Sequence, residues 1–159
     1  MIKDIVQALP RHNRLMRQIT RLNLISGTPA TAYRFGLGLK KLEVVIYSKN
    51  ILTHAAGLKK FWKLNLPTLK FHNDNVDFVV TRVRPTKRED FNTIPLEVRL
   101  HQQDGQVTKI TCTNKDNETI LRDVVASTGA TPVPVEEIPT VYRYEWQAAA
   151  LKTQTAEDK

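Results

Sequence analysis

Two β-branched runs, "KLEVVIYS" (Lys41 to Ser48) and "VDFVVTRVR" (Val76 to Arg84), are separated by a segment that reads as a helix. This spacing limits the fold more than any other feature. Two parallel strands cannot be joined by a tight turn and need a crossover, usually a helix, so the three pieces predict a right-handed βαβ unit. The second run carries apolar residues at both parities, which predicts a strand buried on both faces. Between the runs, Thr53 can cap a helix reaching about Leu66, where Pro67 removes an amide and stops it. Ala55, Leu58, Phe61 or Trp62, and Leu66 form its apolar stripe, which leaves Lys59, Lys60 and Lys63 on the outer face.

Downstream, "PLEVRLH" and "VTKITCT" read as strands joined by "QQDGQ". Asp104-Gly105 is a hairpin signal of the kind in which both central residues take positive φ. Asp116 or Asn117 can cap a last helix bearing Ile120, Leu121, Val124 and Val125, ended by Gly129. The order β-α-β-β-β-α predicts an α/β chain with a mixed four-stranded, thioredoxin-like sheet over residues 41–129; another α+β arrangement of the same elements also satisfies it. Residues 1–40 read as a basic N-terminal helix and a loop. Residues 130–159 read as a Pro-rich extended tail in which "YRYEWQAAALK" can form a short terminal helix. With 159 residues, 41% of them hydrophobic, the chain can bury the core of one domain and still leave a tail.

Catalytic chemistry finds no foothold. Cys112 is the single cysteine, so no intramolecular disulfide and no Cys-x-x-Cys pair can form, and its place in a strand marks a packed thiol. His12, His54, His72 and His101 are scattered without metal-ligand spacing. "HNDN" has turn composition, so Asp74 is read as a turn residue and the pair Asp74 and Asp77 is not read as an acid/base pair. Gly36-x-Gly38 leads into a strand, whereas a dinucleotide loop must open a helix. No cofactor and no small-molecule substrate are expected. No apolar run reaches the roughly 18 residues of a bilayer span, so no membrane insertion is expected either.

Charge is the remaining signal. Residues 1–90 hold 17 basic and 6 acidic side chains, while the rest of the chain holds 7 and 10. Such asymmetry points to a polyanion facing the N-terminal half. Leu15, Ile19 and Leu22 recur on one face of a helix and Arg14, Arg17 and Arg21 on another. Arg11 extends the basic series, a bias shared with mitochondrial targeting segments. Lys59, Lys60 and Lys63 beside Trp62, Arg34 between Tyr33 and Phe35, and Lys40 and Lys41 complete the candidate RNA-binding set. Their chemistry suits phosphate neutralisation with stacking on unpaired bases. Phe61, Phe71 and Phe78 are assigned to the core.

The stretch "GLKKFWKLNLPTLKFHNDNVDFVVTRVR" resembles the signature of a thioredoxin-like domain family found in mitochondrial ribosomal proteins and in a small accessory subunit of respiratory complex I. The matching residues are Gly57, Phe61, Phe71, Asn73, Val76, Val80 and Arg82, with Asp74 where the family usually has proline. The stretch is most similar to the fungal-type member of the mitochondrial large ribosomal subunit, and next to an animal-type member of the small subunit. The resemblance implies a non-catalytic ribosomal component in the mitochondrial matrix, binding mitochondrial ribosomal RNA and neighbouring ribosomal proteins. The large subunit is favoured; a small-subunit mitochondrial ribosomal protein, a complex I accessory subunit and a degenerate oxidoreductase are the alternatives left open.

Overall fold

The computed structural model describes residues 10–48, 53–87 and 89–142. Helix α1 (Pro10–Ser26) leads through a turn to the two-residue strand β1 (Tyr33–Arg34) and then to β2 (Leu39–Tyr47). A 3-10 turn (Thr53–Ala55) opens the crossover, which continues as α2 (Ala56–Lys60), a π turn (Phe61–Asn65) and α3 (Leu66–His72). Strands β3 (Asp77–Val83), β4 (Glu97–Gln102) and β5 (Val107–Thr111) follow, then α4 (Asn117–Thr128) and β6 (Thr131–Pro132).

The main sheet is mixed, in the order β3-β2-β4-β5. β2 runs parallel to β3 and antiparallel to β4, and β4 and β5 form the hairpin. Register aligns Val80, Val44, Val98 and Ile110 in one row and Phe78, Leu42, Leu100 and Thr108 in the next. Leu58, Phe61, Leu69, Ile120 and Val124 pack in the same cluster as these rows, so the helices cover that face. The opposite parity is mixed, with Val45 and Tyr47 buried beside a polar cluster. Glu43 accepts from Thr81 Oγ1 at 2.5 Å and lies 3.3 Å from His101 Nε2, 3.8 Å from Lys41 Nζ and 4.0 Å from Arg99 Nη1. The Thr81 hydroxyl, then His101 and the two cations, hold its carboxyl below the usual range against the opposing effect of burial.

Several expectations are corrected. β3 is an edge strand and is not buried on both faces; its apolar residues of both parities are divided between the helix-covered face (Phe78, Val80) and solvent, with Val79 38% exposed. Pro67 does not stop the crossover helix. It sits in the first turn of α3, just after the π turn, where the Leu66 N–H reaches back to the Phe61 carbonyl. The wider turn shifts the carbonyls that a proline ring would strike in a continuous α-helix. Phe71 is 48% exposed and stands edge-on to His72 instead of joining the core. In the "QQDGQ" hairpin only Gly105 takes positive φ, at 87°, and the Gln102 N–H bonds to the Gln106 carbonyl across the loop. This is a longer loop with a glycine bulge, not the two-residue turn.

The expected loop and tail also carry structure. β1 pairs antiparallel with β6, and Ala32, Val133 and Ile138 close a small second core beneath them. Val135–Glu137 forms a 3-10 turn. Asn23 on α1 both donates to and accepts from the backbone of Val141, at 3.1 and 2.8 Å, which ties the tail to the N-terminal helix. The expected terminal helix from Tyr142 falls, beyond that residue, outside the described residues.

Candidate nucleic-acid interface

α1 is a seventeen-residue helix without a single acidic residue. Its C-terminal end is anchored. Thr68 Oγ1 donates to the Leu24 carbonyl at 2.7 Å, and His72 Nε2 lies 2.7 Å from the Ser26 carbonyl. Gly27, at φ +80°, closes the helix so tightly on α3 that a Cβ there would stand 2.4 Å from the Thr68 methyl. N-terminal to this anchor Arg14, Arg17 and Arg21 are exposed, and none has an ion-pair partner among the described residues. Arg11 lies in the first turn of α1, but its side chain falls outside the described residues. The apolar positions Leu15, Met16 and Leu22 are exposed too, at 45%, 43% and 49%, so the amphipathic pattern does not mark packing against the sheet.

The other candidates divide into open and compensated cations. Lys60 in α2 and Lys63 in the π turn are exposed, whereas Lys59 is half-buried and engaged. Trp62 is packed against the core, and the Arg82 guanidinium lies 5.6 Å from its ring centroid, so the indole is a prop for a cation as well as a surface. Lys40 occupies the β-bulge between Leu39 and Lys41 and is exposed. Lys41 belongs to the Glu43 network of the open face. Arg34 bonds Glu137 at 2.6 Å, so its charge serves the contact between β1 and the tail. The structure thus gathers Arg14, Arg17 and Arg21 into one stripe, uncompensated among the described residues, and leaves the others on separate surfaces.

Asn73 is legible in sequence only as a turn residue, yet it is 2% exposed and holds the site's framework. Its Nδ2 donates to the Tyr33 and Leu69 carbonyls at 2.8 and 2.7 Å, and its Oδ1 accepts from the Phe35 N–H at 2.7 Å. One carboxamide therefore locks β1 to the end of α3 and sets the position of the loop behind α1. In sequence Arg82 is only part of a pattern; its partner Trp62 lies twenty residues away, a separation no local periodicity reveals.

The described residues contain no group of three or more His, Cys, Asp or Glu able to hold a metal ion, and no helix among them is long and apolar enough to cross a membrane. Cys112 is fully buried, and burial pushes its thiol up to about 11, the reverse of what a nucleophilic thiolate needs.

No protein-family model matches the chain. The chain is similar to the large ribosomal subunit protein mL61 of Saccharomyces cerevisiae, with 28% identity over 130 residues that span 79% of this chain and 92% of that protein.

Proposed function

We propose that the protein is a non-catalytic structural component of the large subunit of the mitochondrial ribosome, located in the matrix. It binds ribosomal RNA through α1 and neighbouring proteins through its tail. The observation that carries this reading is the likeness to a large-subunit ribosomal protein across nearly the whole length of that relative. The acid-free α1 supports the RNA contact, since a helix with three uncompensated arginines is driven to polyanions by counterion release. The sheet order, with the crossover strand at one edge and an antiparallel hairpin at the other, supports the thioredoxin-like assignment. Without a second thiol, such a domain has no dithiol chemistry.

Sedimentation of tagged protein from mitochondrial extract tests the assignment. Comigration with large-subunit RNA is expected. Comigration with small-subunit RNA or with a respiratory membrane complex overturns it.

A further inference from the structure

We infer that the cavity between the C-terminal end of α1, the π turn and α4 binds one unpaired nucleotide of an RNA strand. This inference rests on the RNA-binding reading above and assigns it a specific pocket. The cavity has a volume of about 530 Å³, within the range of small-molecule sites. Leu64, Leu121 and Tyr33 supply its apolar and aromatic walls, the surfaces on which a base can stack.

Its polar floor is Asn65 with Asn117. Asn65 is 4% exposed and lies in the π turn, a distortion that recurs at functional positions. Asn117 Nδ2 donates to Asn65 Oδ1 at 3.2 Å. That bond leaves the Asn65 Nδ2 donor and the Asn117 Oδ1 acceptor without a partner among the described residues. No side-chain polar atom among the described residues is sealed from solvent without a partner, so solvent reaches these groups, and both residues line the cavity. An amide donor that opens into a concave pocket without a protein partner is free to bond water or a ligand there. A donor and an acceptor from two adjacent carboxamides match the edge of a nucleobase, which presents an acceptor beside a donor.

Position selects a strand over a free small molecule. The cavity's outer wall is Asn23 and Leu24 of α1, one turn beyond Arg21 and two beyond Arg17. Glu118 and Arg122, one turn apart on α4, both line the cavity and together add no net charge to it, so phosphate attraction comes from α1. A backbone laid along the arginine stripe therefore brings a base to the pocket mouth.

The test uses the full chain with three probes: a decamer of single-stranded uridine or adenosine, an abasic ribose-phosphate decamer, and an RNA duplex. Leu64 is 42% exposed, so Leu64→Trp fills the cavity from its rim without disturbing the core. Asn65→Leu removes the amide donor. Each variant is expected to lose single-strand affinity by about 5- to 150-fold, the span of one stacked base, with abasic and duplex affinities and the salt slope unchanged. In the wild type, the side-chain amide NMR signals of Asn65 and Asn117 should shift with the base-bearing decamer and not with the abasic one. Unchanged single-strand affinity in Leu64→Trp, or amide signals that ignore the base while α1 signals move, overturns the pocket and leaves the RNA reading standing. A wild-type protein that binds none of the probes overturns both.

Discussion

At the scale of single residues, close contacts decide what the chain tolerates. A Cβ on Gly57 would stand 1.7 Å from the Lys115 carbonyl oxygen, which is backbone and cannot swing aside. Gly57→Ala is therefore expected to destabilise the fold by at least about 3 kcal/mol, the upper part of the overpacking range, as read from the shift in urea midpoint. Cys112 has a pH signature instead. Its folded pKa is raised to about 11 from an ordinary 9.0, so between those values the folded state holds a proton that the unfolded chain has released. Stability must then fall as pH rises from about 9 toward 11. Wild type should lose up to about 2 kcal/mol more than Cys112→Ala over that window, since each tenfold weakening of the acid is worth roughly 1.4 kcal/mol. Equal slopes in the two proteins would mean that the thiol is not buried in its protonated form.

At the scale of elements, the four sheet strands and α4 are readable because β-branched runs and a glycine stop act locally. Gly129 does end α4 in the left-handed region at φ 62°. The crossover is not readable past Pro67, because the rule that proline stops a helix assumes uniform α geometry and the π turn suspends it. Nor does strand composition reveal the edge position of β3, which depends on which partner strands exist. The β1–β6 pair is two residues long, too short for any periodicity. On the site, the arginine stripe of α1 is visible as a repeat, whereas Asn65 and Asn117 are brought together across 52 residues. The π turn gives a prediction of its own. Removing the exposed Leu64 should restore continuous α geometry and press the Pro67 ring on the preceding turn, at a cost of about 3 kcal/mol. Adding Pro67→Ala to that deletion should recover most of the loss, although Pro67→Ala alone changes little. Additive effects in this cycle would show that the π turn does not serve the proline.

At the scale of the whole molecule, charge and packing are partitioned. The helices bury one face of the sheet, the Glu43 network neutralises much of the other, and Glu137 takes up Arg34, whereas the arginines of α1 have no ion-pair partner among the described residues. If α1 lies against phosphates, its binding to RNA must release condensed counterions, and log affinity must fall linearly with log salt. With about five phosphates neutralised by α1, Lys60 and Lys63, a slope near −4 is expected, at roughly −0.7 to −0.9 per contact. Arg14, Arg17 and Arg21 are exposed and outside the anchored end of α1, so replacing all three with Gln should leave the urea midpoint unchanged while flattening the slope by about two to three. Replacing Lys60 and Lys63 should flatten it by less than two. A slope unaltered by the triple arginine change would show that α1 makes no phosphate contacts and that RNA binding, if any, rests on other surfaces.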